Sequence, residues 1–363
     1  MKIALMRFYS VELLDGINTF IWELYKIFTS LGHQCFVLTG FCRNKESICK
    51  FFNVQKPQII PVHQFYEKYS YRNMFKEIIS WLKRGVKILR RISPDVVIAN
   101  GAIPVPDSIM GLKIVVNHDL EFRKNLMYLY DFFAYRSYDF VISTSTELKE
   151  SFRKFFCYPL TKIIRIPICI DTSKYIVRSS GERELALLHI GTRTEKNLIT
   201  TFKIFKYVIK ELPETKLYIV GPDTPFLREL LLKMKSTSSN IVFLGKVSKE
   251  RLIQVISSVK VTIVPSIYRV PVISPTVLES FSSGTPVVGF DSISADLLKN
   301  NFNGFRCSRN ESPKKVSSKT IMLLLDDEMW KQFSRNALQT AKKFDSKVVA
   351  SKYLKLFNAV KSN

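Results

Sequence analysis

The residues with the most distinctive chemistry lie in the segment SPTVLE, at positions 274–279. Ser274 is a residue type that favours the N-cap of a helix, and Pro275 suits the first helical position. A helix that begins here would present the amides of Thr276 and Val277 at its end. Such amides, together with the helix dipole, bind phosphate groups. The segment therefore predicts a site for an anion.

A carboxylate follows about one turn later in the same segment. Glu279 has apolar neighbours at Val277, Leu278 and Phe281, and an unpartnered charge in such surroundings is costly. Its two oxygens could accept hydrogen bonds from a ribose diol. The alternative is a structural glutamate held in a salt bridge, and both interpretations stay open at this point.

A second candidate for phosphate chemistry is the loop GTRTEKN, residues 191–197, which follows an apolar run. Gly191 allows a close approach of the backbone, while Arg193 and Lys196 are cations suited to a diphosphate. The alternative is that both cations only lie in solvent at the start of a helix.

The first half of the chain offers one histidine at a comparable place. The strand KIVVN ends at Asn117, and His118 and Asp119 follow. An imidazole at the end of a parallel strand lies where ligands usually bind, although a histidine satisfied in the core or at the surface is equally possible.

The candidate site residues lie in a chain where short apolar runs alternate with helical patterns. This alternation predicts parallel sheets built from right-handed crossover units. In the first half a helix is expected at about 17–31, after a turn at Asp15 and Gly16, and the expected strands are 2–5, 35–39, 95–99, 113–117, 139–144 and 162–166.

The pattern restarts after a polar stretch that follows Asp171. Strands are expected at 185–190, 216–220, 240–244, 260–264 and 286–290, and helices at 321–325, 329–341 and 348–360. We therefore predict an N-terminal Rossmann-like domain over 1–172, a second such domain over 173–344, and a C-terminal segment over 345–363 that packs back on the first domain.

The composition limits the classes of partner that the protein is expected to bind. The chain has 363 residues, with 55 basic and 31 acidic residues and a formal net charge of +24. This charge attracts anions such as nucleotide phosphates or anionic lipid headgroups. It is dispersed along the chain and no recognition motif accompanies it, so we expect no nucleic-acid partner.

Metal binding and membrane insertion are not expected. The six cysteines form no CxxC pair and there are only four histidines, so we expect no metal site. No apolar run approaches the ~18 residues that span a bilayer, and the first ten residues are a poor signal peptide. A cytoplasmic protein is expected.

In their order along the chain, these segments resemble glycosyltransferase family 4, the retaining enzymes with a GT-B fold in glycosyl transferases group 1. The C-terminal half carries the likeness in GTRTEKN, LYIVGPD, NIVFLGKVSKERL, VTIVPSIY, TVLESFSSGTPVVGFD and NFNGFRC, the last resembling a glycine turn. The first half resembles the family less closely, but its matching segments follow the same order. They are DGINTFIWELYKIFTSLGHQCFVLT, SPDVVIANG, VVNHD, YDFVISTSTELKESF and IRIPICIDTSKY.

The resemblance implies an α/β GT-B fold, in which two facing Rossmann-like, doubly wound domains enclose a cleft and C-terminal helices cross back. It also implies the roles of individual residues. Arg193 and Lys196 would hold the diphosphate of a nucleotide-sugar donor, Lys246 to Ser248 (including Val247) would lie near the base, and Glu279 would bind the ribose. Gly16 and His118 would face the transferred sugar.

The sequence departs from the family pattern before Glu279. Most members have two glutamates separated by seven residues, but the position eight before Glu279 is Pro271, and alignment from Pro265 and Ser266 gives Arg269. The segment is two residues longer than usual. Arg269 either faces a donor sugar that carries an anionic group, or it points to solvent while amides near Ser274 serve the sugar.

The mechanism implied by the resemblance is sugar transfer with retention to a glycan or lipid-linked acceptor, without a cofactor. No DxD motif occurs, and the cations with the helix end could stabilise the leaving diphosphate. Two rivals remain: a nucleotide-sugar epimerase on the same fold, and a binding or scaffold protein that has lost catalysis.

A basic segment at residues 65–91 suggests contact with an anionic membrane surface. It holds eight basic and two acidic residues among apolar ones, and basic amphipathic helices can lie at a membrane interface. The alternative is an ordinary helix that packs on the sheet and has a solvated basic edge.

Overall fold

The computed structural model of the protein describes residues 1–8, 10–11, 16–40, 42–62, 71–118, 126–234 and 239–361. The chain forms two compact units. The first comprises Met1–Cys169 together with Ser346–Asn363, and the second comprises Ile170–Asp345. The boundaries predicted from the sequence lie after residues 172 and 344.

The described part of the first unit contains a parallel sheet of seven strands in the order β3-β2-β1-β4-β5-β6-β7. Strand β1 lies between β2 and β4, so the strand order reverses there, and ligands of open α/β sheets bind at such a reversal. The strands are β1 (Lys2–Arg7), β2 (Gln34–Thr39), β3 (Gln58–Pro61), β4 (Val96–Asn100), β5 (Leu112–Asn117), β6 (Phe140–Ser143) and β7 (Ile163–Arg165).

Helices connect these strands. They are α1 (Gly16–Ser30), α2 (Lys45–Phe52), α3 (Tyr71–Ile92), α4 (Leu126–Arg136) and α5 (Thr146–Phe156). Strand β3 and helix α2 were not predicted. Helix α2 has only eight residues, and it begins at the N-cap Asn44, whose side chain accepts a hydrogen bond from the Ser47 amide at 3.0 Å.

The described part of the second unit repeats this plan with six strands in the order β10-β9-β8-β11-β12-β13. The strands are β8 (Glu184–Ile190), β9 (Lys216–Val220), β10 (Ile241–Gly245), β11 (Val259–Val264), β12 (Val287–Phe290) and β13 (Gly304–Cys307). The helices are α6 (Leu198–Glu211), α7 (Pro225–Met234), α8 (Lys249–Ser258), α9 (Pro275–Ser282), α10 (Pro313–Leu325) and α11 (Asp327–Lys342).

The residues NFNGFRC, expected to form a glycine turn, also supply an edge strand. Gly304 opens β13 with φ +157°, and a Cβ atom there would lie only 2.1 Å from the carbonyl oxygen of Val287. A glycine is therefore required because β13 passes very close to β12. The turn interpretation was incomplete, since it missed the strand that follows.

The C-terminal helix α12 (Ser346–Lys361) belongs to the first unit. It packs on α1, where the ring centroids of Tyr353 and Phe357 lie 6.2 and 5.8 Å from that of Phe28. All three rings are buried. No helix within the described ranges is both long and apolar enough to cross a bilayer.

One buried cation, Arg183, connects several segments of the second unit at the start of β11. The Arg183 guanidinium donates hydrogen bonds to the carbonyl oxygens of Val259 at 3.0 Å and Ser283 at 2.6 Å, and to Thr285 Oγ1 at 2.7 Å. Burial lowers the pKa of Arg183 to about 10. These bonds connect the start of β11 to the turn after α9, at the ends of both elements that lie away from the Pro265–Ser274 connection.

Candidate functional site

The loop after β8 has a backbone form that only glycine accepts easily. Gly191 has φ +101°, and a Cβ atom there would lie 2.8 Å from Cγ of Lys196. The Lys196 side chain therefore folds over the glycine. Arg193 is 62% exposed and pairs with Glu195, with 2.9 Å between Nε and Oε1. An ion pair this exposed is weak, so Arg193 can exchange Glu195 for another anion.

Three contacts join this loop to the residues after β11. The amide of Ile267 donates to the Glu195 carbonyl at 2.9 Å, and Asn197 Nδ2 donates to the Pro265 carbonyl at 3.2 Å. Lys196 Nζ lies 5.9 Å from the centre of the Tyr268 ring. Because β8 and β11 are neighbours in the sheet, two segments singled out separately in the sequence form one surface.

The loop is also held on its other side. Thr192 Oγ1 donates a 2.7 Å hydrogen bond to the carbonyl of Pro222, in the segment after β9. The predicted GTRTEKN loop is thus fixed between the ends of both neighbouring strands.

Helix α9 begins where the sequence predicted, but its first turn differs in one respect. Ser274 is the N-cap and Pro275 the first residue. The amide of Val277 donates to the Ser274 carbonyl at 3.1 Å, so the expectation of a free Val277 amide was wrong: the first turn tightens and uses this donor. The Thr276 amide makes no hydrogen bond with another described residue.

The hydroxyl of Ser274 does not cap the helix. Its Oγ is buried, with the residue 2% exposed, and it has no hydrogen-bond partner. Ser266 Oγ, in the segment after β11, is likewise buried without a partner. Unpartnered buried hydroxyls are costly. Both hydroxyls lie in the connection between β11 and α9.

Glu279 has a charged partner that sequence reasoning missed. Its Oε1 bonds to Nζ of Lys249, and the two side chains are 13% and 29% exposed respectively. Burial alone would lower the pKa of Lys249, but the Glu279 carboxylate and Tyr175 outweigh it and raise the pKa.

Lys249 follows the predicted Lys246–Ser248 region directly, so that region lies beside α9. Lys246 is exposed, whereas Val247 packs partly buried against the core.

The two extra residues before α9 have a structural explanation. The Val272 amide donates to the Ser292 carbonyl at 3.0 Å, and the Ser294 amide donates to the Val272 carbonyl at 2.9 Å. This bridge to the loop after β12 buries Val272 and Ile273. Arg269 is exposed and makes no ion pair or hydrogen bond with another described residue.

In the first unit, His118 follows β5 beside the ends of β1 and β4. Its Nε2 bonds to Oδ1 of Asn100, and the Phe20 ring meets it edge-on with 5.1 Å between centroids. Burial lowers the pKa of His118 to about 3, and the nearby Arg7 cation adds to this effect. The imidazole is therefore neutral.

Gly16 is the first residue of α1, while the predicted turn residue Asp15 and the strand-end residue Asp119 lie outside the described residues.

Comparison with known families accounts for most of the chain. The model described as Glycosyltransferase Family 4 matches residues 14–174, and the model described as Glycosyl transferases group 1 matches residues 177–340. The first match lies mainly on the first unit and the second match on the second unit.

A curated relative is an enzyme of Campylobacter jejuni serotype O:2, GalNAc-alpha-(1->4)-GalNAc-alpha-(1->3)-diNAcBac-PP-undecaprenol alpha-1,4-N-acetyl-D-galactosaminyltransferase. The identity is 27% over 199 residues, which are 51% of this chain and 51% of that enzyme. The match thus spans about half the length of the curated relative.

Two solved structures resemble the whole chain. Sucrose-phosphate synthase from Thermosynechococcus elongatus has a TM-score of 0.80 at 13% identity and covers 100% of this chain and 99% of its own. The Anabaena protein HepE, in complex with UDP and glucose, has a TM-score of 0.78 at 14% identity and covers 99% of this chain and 100% of its own. At these identities the likeness shows the fold, which is GT-B.

Proposed function

The chain belongs to glycosyltransferase family 4, and on that premise we propose that it is a retaining enzyme that moves a sugar from a nucleotide diphosphate to a hydroxyl group of a glycan or lipid-linked glycan. The observation that carries the proposal is the convergence of the Gly191–Asn197 loop and the Pro265–Tyr268 segment at the carboxyl edge of β8 and β11. Helix α9 begins in the same connection.

This arrangement suits a diphosphate. Arg193 and Lys196 supply two cations from one loop, and the free Thr276 amide supplies a backbone donor. The dipole at the start of α9 adds positive potential. We propose that these groups stabilise the charge that develops on the leaving diphosphate, so that the reaction needs no metal ion or other cofactor.

We propose that Glu279 binds the ribose while Lys249 holds it in place. The ion pair engages Oε1, which leaves Oε2 to accept a hydrogen bond from a ribose hydroxyl. A purely structural pair is the rival explanation. A variant of Glu279 distinguishes the two explanations. Loss of a ribose contact lowers the affinity for the nucleotide, whereas loss of a purely structural pair lowers only the stability of the fold.

His118 is proposed to contact the transferred sugar. Since the Asn100 Oδ1 atom can only accept, Nε2 of His118 carries the proton and Nδ1 has a free lone pair. A neutral imidazole of this tautomer can accept a hydrogen bond from a sugar hydroxyl. It does not act as an acid at neutral pH, because its pKa of about 3 leaves it unprotonated.

The acceptor is proposed to be presented at an anionic membrane, because the curated relative acts on an undecaprenol-linked substrate. Over its described side chains, α3 buries Ile78, Trp81 and Leu89. Its exposed cations include Lys83 and Lys87. Membrane contact by this part of α3 would therefore be electrostatic rather than by insertion of its apolar face, and it would occur at the cytoplasmic side.

Cosedimentation with vesicles tests this membrane proposal. Binding to anionic vesicles should weaken with salt and fall in a Lys83→Gln/Lys87→Gln protein. The matched control is Lys203→Gln/Lys206→Gln, which removes two exposed charges from α6 of the other unit. Equal binding to neutral vesicles, or equal loss in the control, contradicts the proposal.

A donor screen tests the catalytic proposal. Binding of a nucleotide sugar to the folded protein raises its melting temperature, and the best donor is then incubated with lipid-linked acceptors and the product is analysed by mass spectrometry. Transfer with the anomeric configuration kept is the expected result. Binding without transfer to any acceptor would favour a degenerate binding protein, and interconversion of the donor alone would favour an epimerase.

A further inference from the structure

A second histidine, His189, lies beneath the loop that we assign to the donor diphosphate. It is in β8, two residues before Gly191, and is 1% exposed. Both ring nitrogens are bonded: Nε2 lies 2.8 Å from the Gly191 carbonyl oxygen, and Nδ1 lies 2.8 Å from Oγ1 of Thr201 in α6.

These partners determine the proton position. A carbonyl oxygen can only accept a hydrogen bond, so Nε2 must carry the proton, and Nδ1 therefore accepts from the Thr201 hydroxyl. Burial lowers the pKa of His189 to about 4; the bond to Gly191 opposes this effect and the Lys196 cation adds to it. The ring is neutral, in one tautomer, with both nitrogens satisfied.

The bond to Gly191 fixes the direction of a whole peptide group. The Gly191 carbonyl and the Thr192 N–H belong to one planar, trans peptide, so they point in opposite directions. With the carbonyl held towards the ring, the Thr192 N–H points away from it, and it makes no hydrogen bond with another described residue. The Gly191 N–H is held separately by the Val220 carbonyl at 2.7 Å.

Without this bond, nothing in glycine itself would hold the peptide. Glycine has no side chain and populates several backbone regions with similar ease, so the peptide after Gly191 could rotate. A buried ring bonded to both the loop and α6 removes that freedom. Thr201 is fully buried.

We propose that His189 is a positioning residue that holds the Gly191–Asn197 loop, and with it the Thr192 N–H, in the conformation that receives the donor diphosphate. His189 does not touch the ligand. The inference rests on the proposed function, because it assigns the loop to a diphosphate.

Two substitutions separate positioning from packing. His189→Phe keeps an aromatic ring and removes both hydrogen bonds, whereas His189→Gln keeps an N–H near the Nε2 position and can still donate to the Gly191 carbonyl. The matched control is Thr320→Val in α10, which removes a fully buried hydroxyl that bonds only within its own helix, to the Val316 carbonyl at 2.9 Å.

The readouts are UDP affinity by titration calorimetry, hydrogen exchange of the loop without ligand, and the melting temperature. We expect His189→Phe to weaken UDP binding about tenfold and to speed exchange of the Lys196, Asn197 and Ile267 amides, whose hydrogen bonds hold the loop, with His189→Gln recovering most of both. Thr320→Val should lower the melting temperature but leave UDP affinity unchanged. Nitrogen NMR of the wild-type ring should show the proton on Nε2.

Wild-type UDP affinity and wild-type loop exchange in a folded His189→Phe protein would overturn the proposal, as would a proton on Nδ1. If His189→Phe does not fold, Thr201→Val takes its place, with faster exchange and a smaller loss of affinity expected. Failure of the proposed function gives a different result: the wild-type protein would bind none of UDP, GDP or ADP, while exchange would still decide whether His189 holds the loop.

Discussion

The carboxyl edges of the two sheets each carry a histidine, and the two are used differently. His118 follows β5 in the first unit, is only partly buried, and bonds to the side chain of Asn100. His189 lies within β8 of the second unit, is wholly buried, and bonds to the backbone of Gly191 and to Thr201. Both rings are neutral because burial lowers the pKa of each.

The difference shows what a strand-end histidine can do. A partly exposed ring with a free lone pair can meet a substrate, while a ring with both nitrogens satisfied inside the protein can only position its neighbours. Residue type and strand-end placement do not distinguish the two; burial and hydrogen-bond partners do.

The largest expected effect is a dependence of stability on pH that comes from His189. The pKa of His189 is about 4 in the folded protein and about 6.5 in the unfolded chain, so the unfolded state binds more protons between these values. The contribution of neutral His189 to the free energy of unfolding is therefore fully present above pH 6.5. It is lost as the pH falls to about 4, a change of about 3 kcal/mol.

Urea unfolding of the wild-type and His189→Phe proteins at pH 7, 5.5 and 4.5 measures this change. The difference in free energy of unfolding between them should shrink as the pH falls, while His118 contributes equally to both and cancels. A difference that stays constant with pH would mean that His189 is not buried as a neutral ring.

The second prediction concerns catalysis by His118, the partly buried histidine. His118→Ala should lower turnover about 100-fold, the typical cost of one lost hydrogen bond in a transition state. Nucleotide affinity should remain unchanged, because the donor groups lie in the second unit. Steady-state kinetics with calorimetry checks both; a loss of UDP affinity with normal turnover would place His118 in a different role.

The third prediction addresses the ribose. Glu279→Ala should weaken nucleotide binding by about 1 to 3 kcal/mol, because charged hydrogen bonds are lost. Lys249→Met is the informative companion, since it breaks the same ion pair and keeps the carboxylate. If calorimetry shows equal, unchanged affinities in both folded variants and only their stability falls, Glu279 is a structural residue.

The smallest effect is expected at Arg269. Its side chain is exposed and bonds to no other described residue, so Arg269→Ala should change affinity for neutral sugar donors less than about twofold, in line with other exposed residues. A competition between a uronic acid nucleotide and a neutral hexose nucleotide decides its role. A wild-type preference for the acidic donor that Arg269→Ala erases would show that Arg269 meets the sugar.

Much of the fold could be predicted because parallel strands are buried on both faces and therefore appear as continuous apolar runs, as in Lys216–Val220. Short edge strands give a weaker signal, and β3 and β13 have four residues each. Helix α2 was missed because it has only eight residues, too few for a clear helical period.

The candidate site was predictable in its loops and less so in its contacts. Strand ends locate Gly191, Arg193 and Ser274, since connectivity alone places them on one edge. The partner of Glu279 is Lys249, thirty positions away, and no local pattern reveals such a pair. The hydrogen bond of the Val277 amide depends on how tightly the first turn closes, which residue types do not determine.

Hydrogen exchange with and without the best donor nucleotide tests most directly whether the second unit binds a nucleotide diphosphate. We expect slower exchange on binding in peptides that cover residues 191–197, 246–248 and 265–279, and loss of that protection in Glu279→Ala at the same nucleotide concentration. Protection confined to other segments, or none at a concentration that saturates binding, would contradict it.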